Sequence, residues 1–161
     1  MALGTLSFQA GKLHDTIFIR EIPHKLRTNN KYRNPKKHFA WQDELLNAGA
    51  TIRVEPLDVA DKQDLVRLYR NLTKVMPPIA GVINGAMVLS DGLFVDMSYE
   101  SLEKVLKPKI DGSKNLDEVF LSNELDFFIM FSSLSAVVGN PGQANYAAAN
   151  MVSNPPYIRE P

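Results

Sequence analysis

From residue 38 onward, apolar residues follow two spacings in turn. Intervals of three and four residues predict helices, and short apolar or alternating runs predict buried strands. The predicted helices cover 38–48, 62–73 after the N-cap Asp61, and 98–106 from the cap Ser98, with further helices beginning at Pro108 and Gly142. The predicted strands cover 51–55, 80–83 and 126–131. Because strands that alternate with helices form parallel sheets covered on both faces, the pattern predicts an α/β fold.

The two ends of the chain give weaker patterns. Residues 16–19 are apolar enough for one short strand, and we assign no fold to the rest of residues 1–32 or to the tail, 152–161. A length of 161 residues is typical of about one domain. We therefore expect about one domain.

The composition excludes several kinds of function. The chain has no cysteine, which removes disulfides, thiolate catalysis and cysteine zinc sites. Its three histidines, His14, His24 and His38, lack the spacing of metal ligands, so we predict no metal site. No apolar run is long enough to span a membrane, and the N-terminus lacks a long apolar segment after a basic patch, so we expect no secretory signal. We expect a cytoplasmic protein with no membrane partner.

The charges balance overall, with 18 basic and 18 acidic residues, but the first 40 residues hold eight basic and two acidic ones. A basic arm can bind nucleic acid. This one lacks zinc-finger spacing, an RNA-binding signature and an amphipathic basic helix. We therefore expect a solvated arm and no nucleic-acid partner.

Polar residues follow the predicted strands where each of them ends. Asp58 follows the first strand, Asn84 the second, and Ser133 the third. Ligands of parallel sheets bind at the carboxyl ends of the strands. The sequence therefore predicts a site at this edge, although each residue alone also fits an ordinary turn or cap.

A helix after the last predicted strand adds a phenol and an amide. Tyr146 and Asn150 are four residues apart and so share one helix face. An ammonium group close to a phenol stabilises the phenolate and makes the phenol a better acid. Lys109, on the helix before the strand at 126–131, is the candidate ammonium, although a solvated lysine on a helix surface is the ordinary alternative.

Four segments together resemble the ketoreductase domains of polyketide synthases, which belong to the short-chain dehydrogenase/reductase superfamily. They are residues 131–136 (FSSLSA), 139–150 (GNPGQANYAAAN), 81–89 (GVINGAMVL) and 107–113 (KPKIDGS). The similarity is to fungal highly reducing synthases and polyketide–peptide hybrid synthases, and it covers residues 33–151. It implies a Rossmann-like parallel sheet with flanking helices.

The resemblance also implies a role for each matching residue. Tyr146 would protonate a ketone oxygen while NADPH delivers hydride to the carbonyl carbon. Ser133 would hold that oxygen by a hydrogen bond. Lys109 would stabilise the tyrosinate, and Asn150 would complete a polar relay.

The same resemblance implies contacts to NADPH. The residues that match its binding segments are Asp58 and Val59 for the adenine, Asn84, Gly85 and Ala86 for the nicotinamide ribose, and Arg33 for the 2′-phosphate.

One part of the family's pattern is missing. A glycine-rich turn that binds the pyrophosphate through backbone N–H groups should precede Arg33, and no G-x-G-x-x-G occurs in the chain. In the family's sheet, the first two strands lie between the strands predicted here at 51–55 and 80–83. We therefore expect a domain truncated at both ends, a sheet split at its centre, and poor NADPH binding.

Two functions of different classes remain open. The first is NADPH-dependent reduction of a β-ketoacyl thioester to a β-hydroxyacyl group. Its partners would be an acyl carrier protein that bears the substrate and the other domains of a polyketide synthase. The second is an inactive ketoreductase remnant that acts as a structural or interaction module.

Overall fold

The computed structural model describes residues 4–10 and 16–21 by their backbone, and then residues 47, 53, 55–76, 78–121 and 125–151. Its strands are β1 (Gly4–Ala10), β2 (Thr16–Glu21), β3 (Pro56–Leu57), β4 (Ile79–Asn84) and β5 (Phe127–Met130). Its helices are α1 (Lys62–Leu72), α2 (Tyr99–Phe120), α3 (Ser135–Val138) and α4 (Ala144–Met151), with a 3₁₀ turn at Phe94–Asp96. Strands and helices alternate from β3 onward, which confirms the predicted α/β class.

The described strands form one sheet in the order β3-β2-β1-β4-β5. β2 pairs in parallel with β3, and β4 pairs in parallel with β5. β1 runs antiparallel to both of its neighbours, β2 and β4. The expectation of a sheet split at its centre is therefore wrong, because β1 and β2 lie between β3 and β4. The expectation of parallel pairing throughout is also wrong at β1.

The strand β1 was missed by the sequence analysis, although its pattern was available. In residues 4–10 (GTLSFQA), apolar Leu6 and Phe8 alternate with polar neighbours, which is the period of a strand. The strand predicted at 16–19 is confirmed as part of β2. Strand addition satisfies the backbone N–H and C=O groups along β4 that a split sheet would leave unpaired.

Helix α1 begins as predicted. The Asp61 carboxylate accepts hydrogen bonds from the backbone N–H of Gln63 and of Asp64, at 2.9 and 3.1 Å. Acceptors at this position satisfy N–H groups that the helix itself cannot pair. The apolar face of α1 then buries Leu65 and Leu72.

The main core lies between the sheet and the helices α1 and α2. Its fully or nearly fully buried members are Leu57, Val59, Leu65, Leu72, Ile79, Val82, Ala86, Leu116 and Phe120. The Tyr69 ring of α1 meets the Phe120 ring of α2 edge to face, with centroids 5.2 Å apart. This apolar burial holds α2 against the sheet, roughly 1.5–3 kcal/mol for each large side chain.

Helix α2 is continuous from Tyr99 to Phe120, with Pro108 buried inside it. The prediction of a separate helix from Pro108 is therefore wrong. An internal proline removes one backbone hydrogen bond and costs about 3 kcal/mol. Val105 before the proline and Leu116 after it are both buried, and their packing offsets that cost.

Other expectations were met in part. Ser98 caps α2 as predicted, by accepting from the Ser101 N–H at 3.2 Å. The strands predicted at 80–83 and 126–131 are confirmed as β4 and β5, and the last predicted helix as α4. Of the strand predicted at 51–55, Arg53 and Glu55 are described and have no regular structure, and β3 follows them. Residues 51, 52 and 54 lie outside the described residues. Of the helix predicted at 38–48, only Asn47 is described, and it is helical.

Three of the predicted segments fall outside the described residues. They are the remainder of 38–48, the tail 152–161, and Arg33 with its neighbours. Within the ranges that the structure does describe, no helix combines the length and the low polarity needed to cross a bilayer.

The glycine at position 81 fixes the approach of two strands. Gly81 pairs with Phe127 in the parallel register of β4 and β5. A Cβ atom added at Gly81 would collide with the Phe127 ring. Only glycine lets the ring lie across the β4 backbone.

We expect a disulfide to form between β1 and β4 in a Ser7→Cys/Ile83→Cys variant. These two residues are directly paired in the antiparallel register, and such pairs have Cβ atoms roughly 4.5–5.5 Å apart, close to disulfide reach. The chain has no other cysteine, so loss of free thiol on oxidation measures the bond. The control is Ser7→Cys/Val82→Cys, whose side chains lie on opposite faces of the sheet. Equal thiol loss in both variants, or none in either, would contradict the register.

The cap of α1 gives a stability prediction. Asp61→Ala removes the acceptor for two backbone N–H groups and should lower the free energy of unfolding by about 1 kcal/mol. Asp61→Asn keeps an acceptor at the same place and should retain most of that stability. Urea denaturation of both variants measures the difference, and equal destabilisation by both would show that the cap is unimportant.

Candidate active site

Helix α2 carries a buried ammonium group to the carboxyl end of β5. The Lys109 side chain is 4% exposed, and its Nζ donates to the backbone carbonyl of Phe131, just after β5. A buried charge requires hydrogen-bond partners, and a carbonyl oxygen is a suitable one. The contact places the ammonium group beside the start of the loop that contains Ser133.

The same helix fixes the turn that follows β4, which we call the β4 turn (residues 84–86). The Asn84 amide nitrogen donates to the Ser113 hydroxyl at 3.0 Å and lies 3.5 Å from the Pro108 carbonyl oxygen. The Asn84 side-chain oxygen accepts from the Ala86 N–H at 3.0 Å. With Asn84 1% exposed, this network determines the shape of the turn.

Helix α2 also reaches the turn that follows β3, the β3 turn (residues 58–60). The Asn115 amide nitrogen donates to the backbone carbonyls of Val59 and Ala60, both at 3.0 Å. The Asp58 carboxylate accepts from the Ala60 N–H at 3.0 Å. The ends of β3, β4 and β5 are thus all bonded to one helix.

Tyr146 and Asn150 lie on α4, next to the end of β5. The Asn150 amide nitrogen donates to the Tyr146 backbone carbonyl at 2.8 Å, one helical turn back. The Ser132 hydroxyl donates to the Asn150 backbone carbonyl at 3.0 Å, which joins the β5 loop to α4. Asn150 is fully buried, and its side-chain oxygen has no hydrogen-bond partner among the described residues.

The two predicted hydroxyls contact other groups instead of each other. The Tyr146 hydroxyl donates to the Met87 sulfur at 3.4 Å. The Ser133 hydroxyl accepts from the N–H and the hydroxyl of Ser135, at 3.2 and 2.8 Å. A thioether is a weak acceptor, so the phenol can exchange it for a carbonyl oxygen.

A set of polar contacts joins the loop after β4 to the segment that precedes Tyr146. The Gln143 amide nitrogen lies 3.2 and 3.1 Å from the two carboxylate oxygens of Asp91 and donates to them. The Gly92 N–H donates to the Gly142 carbonyl at 2.8 Å. The Asn145 amide nitrogen donates to the Ser90 carbonyl at 2.8 Å. These bonds fix the start of α4, and hence Tyr146, relative to β4.

The residues predicted to contact NADPH have different exposures. Asp58 and Gly85 are half-buried, whereas Val59 and Ala86 are fully buried. The Val59 side chain packs against Gly112 of α2, where an added Cβ would lie 2.7 Å from the Val59 Cγ1 atom. Val59 is therefore a core residue, and only its backbone could meet a ligand. Arg33 lies outside the described residues.

Sequence reasoning missed three buried polar residues that hold this arrangement together. They are Ser113, Asn115 and Asn145. For Ser113 and Asn115, the available signal was their position beside Leu116 in a helix with a buried side, where each polar group must find a partner.

The described residues fit one end of a dinucleotide better than the other. In the β4 turn, the half-buried Gly85 is the residue that can contact a nicotinamide ribose, because both polar groups of the Asn84 side chain are already bonded, to Ser113 and to the Ala86 N–H. The pyrophosphate end lacks a match, because β1 is antiparallel to β4 and its amino end lies at this edge, with Leu6 opposite Asn84. A strand in that direction cannot lead into a phosphate-binding turn and helix there. The described part of the chain therefore offers no pyrophosphate cradle of the usual kind.

Comparison with known sequences identifies close relatives. The chain is 55% identical over 119 residues to the hybrid PKS-NRPS synthetase lepA of Aspergillus flavus, a match over 74% of this chain and 3% of that protein. It is 54% identical over 118 residues to the stereoselective keto-reductase af490 of Aspergillus fumigatus, over 73% of this chain and 12% of that protein. The chain thus spans a small part of the relatives that it matches.

Solved structures give the same relationship. An N-terminal ketoreductase from the macrolactin assembly line superimposes with a TM-score of 0.65 and 34% identity, over 68% of this chain and 23% of that one. An A1-type ketoreductase gives a TM-score of 0.64 and 30% identity, over 69% and 23%. The sequence model of the KR domain matches residues 25–155. Since that match covers most of the chain, and the fold and the relatives agree with it, this chain belongs to the KR domain family, the ketoreductases of polyketide synthases.

Proposed function

We propose that the chain is part of a ketoreductase domain that reduces a β-ketoacyl thioester to a β-hydroxyacyl group, with NADPH as the reductant. The observation that supports this most strongly is the convergence of α2 and α4 on the carboxyl end of β5. Lys109 is bonded there to the Phe131 carbonyl, and Asn150 is joined there to Ser132.

The chemistry requires a hydride at the carbonyl carbon and a proton at the carbonyl oxygen. NADPH, when bound, supplies the hydride. The Tyr146 phenol supplies the proton, after its hydroxyl leaves the Met87 sulfur for the ketone oxygen. The Ser133 hydroxyl donates to the same oxygen and stabilises the negative charge that develops on it.

Two buried residues, Lys109 and Asn150, complete the proposal. The Lys109 ammonium stabilises the phenolate left by proton transfer, because opposite charges attract strongly where water is excluded. Asn150, whose amide nitrogen donates to the Tyr146 carbonyl, completes the relay of polar groups behind the phenol. Cofactor contacts are assigned to Asp58 and Val59 for the adenine, to the β4 turn for the nicotinamide ribose, and to Arg33 for the 2′-phosphate.

The proposed substrate is carried by an acyl carrier protein, and the proposed partners are the other domains of a polyketide synthase. This assignment is supported by the relatives, which include hybrid PKS-NRPS synthetases.

A second function is favoured by the direction of β1. Because β1 enters this edge by its amino end and the chain contains no G-x-G-x-x-G, the chain suits an inactive remnant with a structural or interaction role. The two proposals differ in whether the chain reduces ketones at all.

A Tyr146→Phe variant separates these proposals. With a decalone as the model ketone, removal of the proton donor should lower the rate roughly 100- to 10,000-fold, the usual contribution of a general acid. Tyr99→Phe is the matched control, since Tyr99 is 76% exposed at the start of α2 and should keep the wild-type rate. Activity of Tyr146→Phe equal to a measurable wild-type rate would overturn the assignment. Equal near-zero rates for all three proteins would support the remnant.

Binding of NADPH gives an independent measurement. Because the described residues offer no pyrophosphate cradle, calorimetric titration should show weak binding that saturates only at high cofactor concentration. Tight binding would show that the chain holds the phosphates by other groups, and would count against the remnant.

A further inference from the structure

The ends of β3 and β4 have the same local construction. In the β3 turn, the Asp58 carboxylate accepts from the N–H two residues later, on Ala60, at 3.0 Å. In the β4 turn, the Asn84 side-chain oxygen accepts from the N–H two residues later, on Ala86, also at 3.0 Å. Such side-chain bonds shape a turn without extended secondary structure.

Each turn is also bonded to the same helix, but through a different residue. Ser113 accepts from the Asn84 amide at 3.0 Å and so restrains the β4 turn. Asn115 donates to the Val59 and Ala60 carbonyls at 3.0 Å and so restrains the β3 turn. Ser113 is 5% exposed and Asn115 is 9% exposed, so water is a poor substitute for either partner.

We propose that Ser113 and Asn115 are positioning residues, which use α2 to set the shape and the separation of the two turns that face the dinucleotide. The inference rests on the proposed function, since it takes the β3 turn to face the adenine and the β4 turn to face the nicotinamide ribose. Two residues apart on a rigid helix, these side chains hold the two turns at a fixed spacing. Because α2 also carries Lys109, the same helix sets the positions of the adenine and of the nicotinamide ribose relative to the Lys109 ammonium group.

Packing supports a fixed spacing. Gly112 precedes Ser113, and its missing side chain lets the β3 turn approach α2 closely, because an added Cβ would lie 2.7 Å from the Val59 Cγ1 atom. Ala86 of the β4 turn and Leu116 of α2 are fully buried in the same core cluster. Polar bonds and apolar packing thus act on both turns from one helix.

The test measures each turn separately, through the amide protons of Ala60 and Ala86 by NMR hydrogen exchange on the full chain. Asn115→Leu removes the donor at similar volume and should raise exchange at Ala60 by roughly 5- to 30-fold, as expected for the loss of about one hydrogen bond, with little change at Ala86. Ser113→Ala should do the reverse. Ser113→Thr keeps the hydroxyl and should restore protection at Ala86.

Lys114→Gln is the matched control, because Lys114 stands between the two residues and its side chain is 68% exposed. It should leave exchange at both amides unchanged. A merely structural role predicts instead that each variant raises exchange at both turns together, and that result would overturn the proposal. Should Asn115→Leu fail to fold, Asn115→Ala removes the same donor with less steric demand.

Cofactor contact is measured on the same samples by adding NADPH at high concentration. The wild-type chain should show shifts at both Ala60 and Ala86, and each variant should weaken the shift at its own turn. Absence of any shift in the wild type would overturn the cofactor assignment of both turns and count against the proposed function. The exchange data would still decide whether Ser113 and Asn115 hold the turns.

Discussion

The burial of polar side chains along α2 is the constraint on which the rest of the site depends. Lys109, Ser113 and Asn115 are removed from water by the core, and each must find a hydrogen-bond partner or destabilise the fold. Their partners are backbone and side-chain groups at the ends of β5, β4 and β3. A requirement of stability thus gathers three strand ends at one place. Helix α4 then brings a phenol and an amide, those of Tyr146 and Asn150, next to the end of β5.

Many of the helices and strands were predicted from local signals, which depend only on residues that are close together in the sequence. Asp61 capped α1, and the apolar run before Asn84 formed β4. The errors arose where distant packing prevailed over local preference. Pro108 would end an isolated helix, but the core on both sides of it keeps α2 whole. The contacts of Asn115 join residues more than fifty positions apart, and no spacing rule in a single sequence reports such a pair.

In the sheet, the sequence predicts the presence of a strand but not its direction. Hydrogen bonding along β4 requires a neighbour, but it accepts a parallel or an antiparallel strand. The alternating pattern of residues 4–10 identifies a strand and leaves its direction open. Direction matters here because the edge of the sheet where the site lies receives the amino end of β1 and the carboxyl end of β2. The same backbone groups can therefore be satisfied with or without a phosphate-binding turn, so the stability of the sheet does not depend on such a turn.

The lack of a side chain at Gly81 of β4 affects the contacts made at the carboxyl end of that strand. Gly81 admits the Phe127 ring and so selects the register in which Asn84 pairs with Met130. A slip of one residue would turn every β5 side chain to the other face and carry the Phe131 carbonyl away from Lys109. The absence of a side chain at Gly81 thereby determines which backbone carbonyl lies against the Lys109 ammonium group. A substitution at position 81 is consequently expected to alter the carboxyl end of β5 as well as the contact between the two strands.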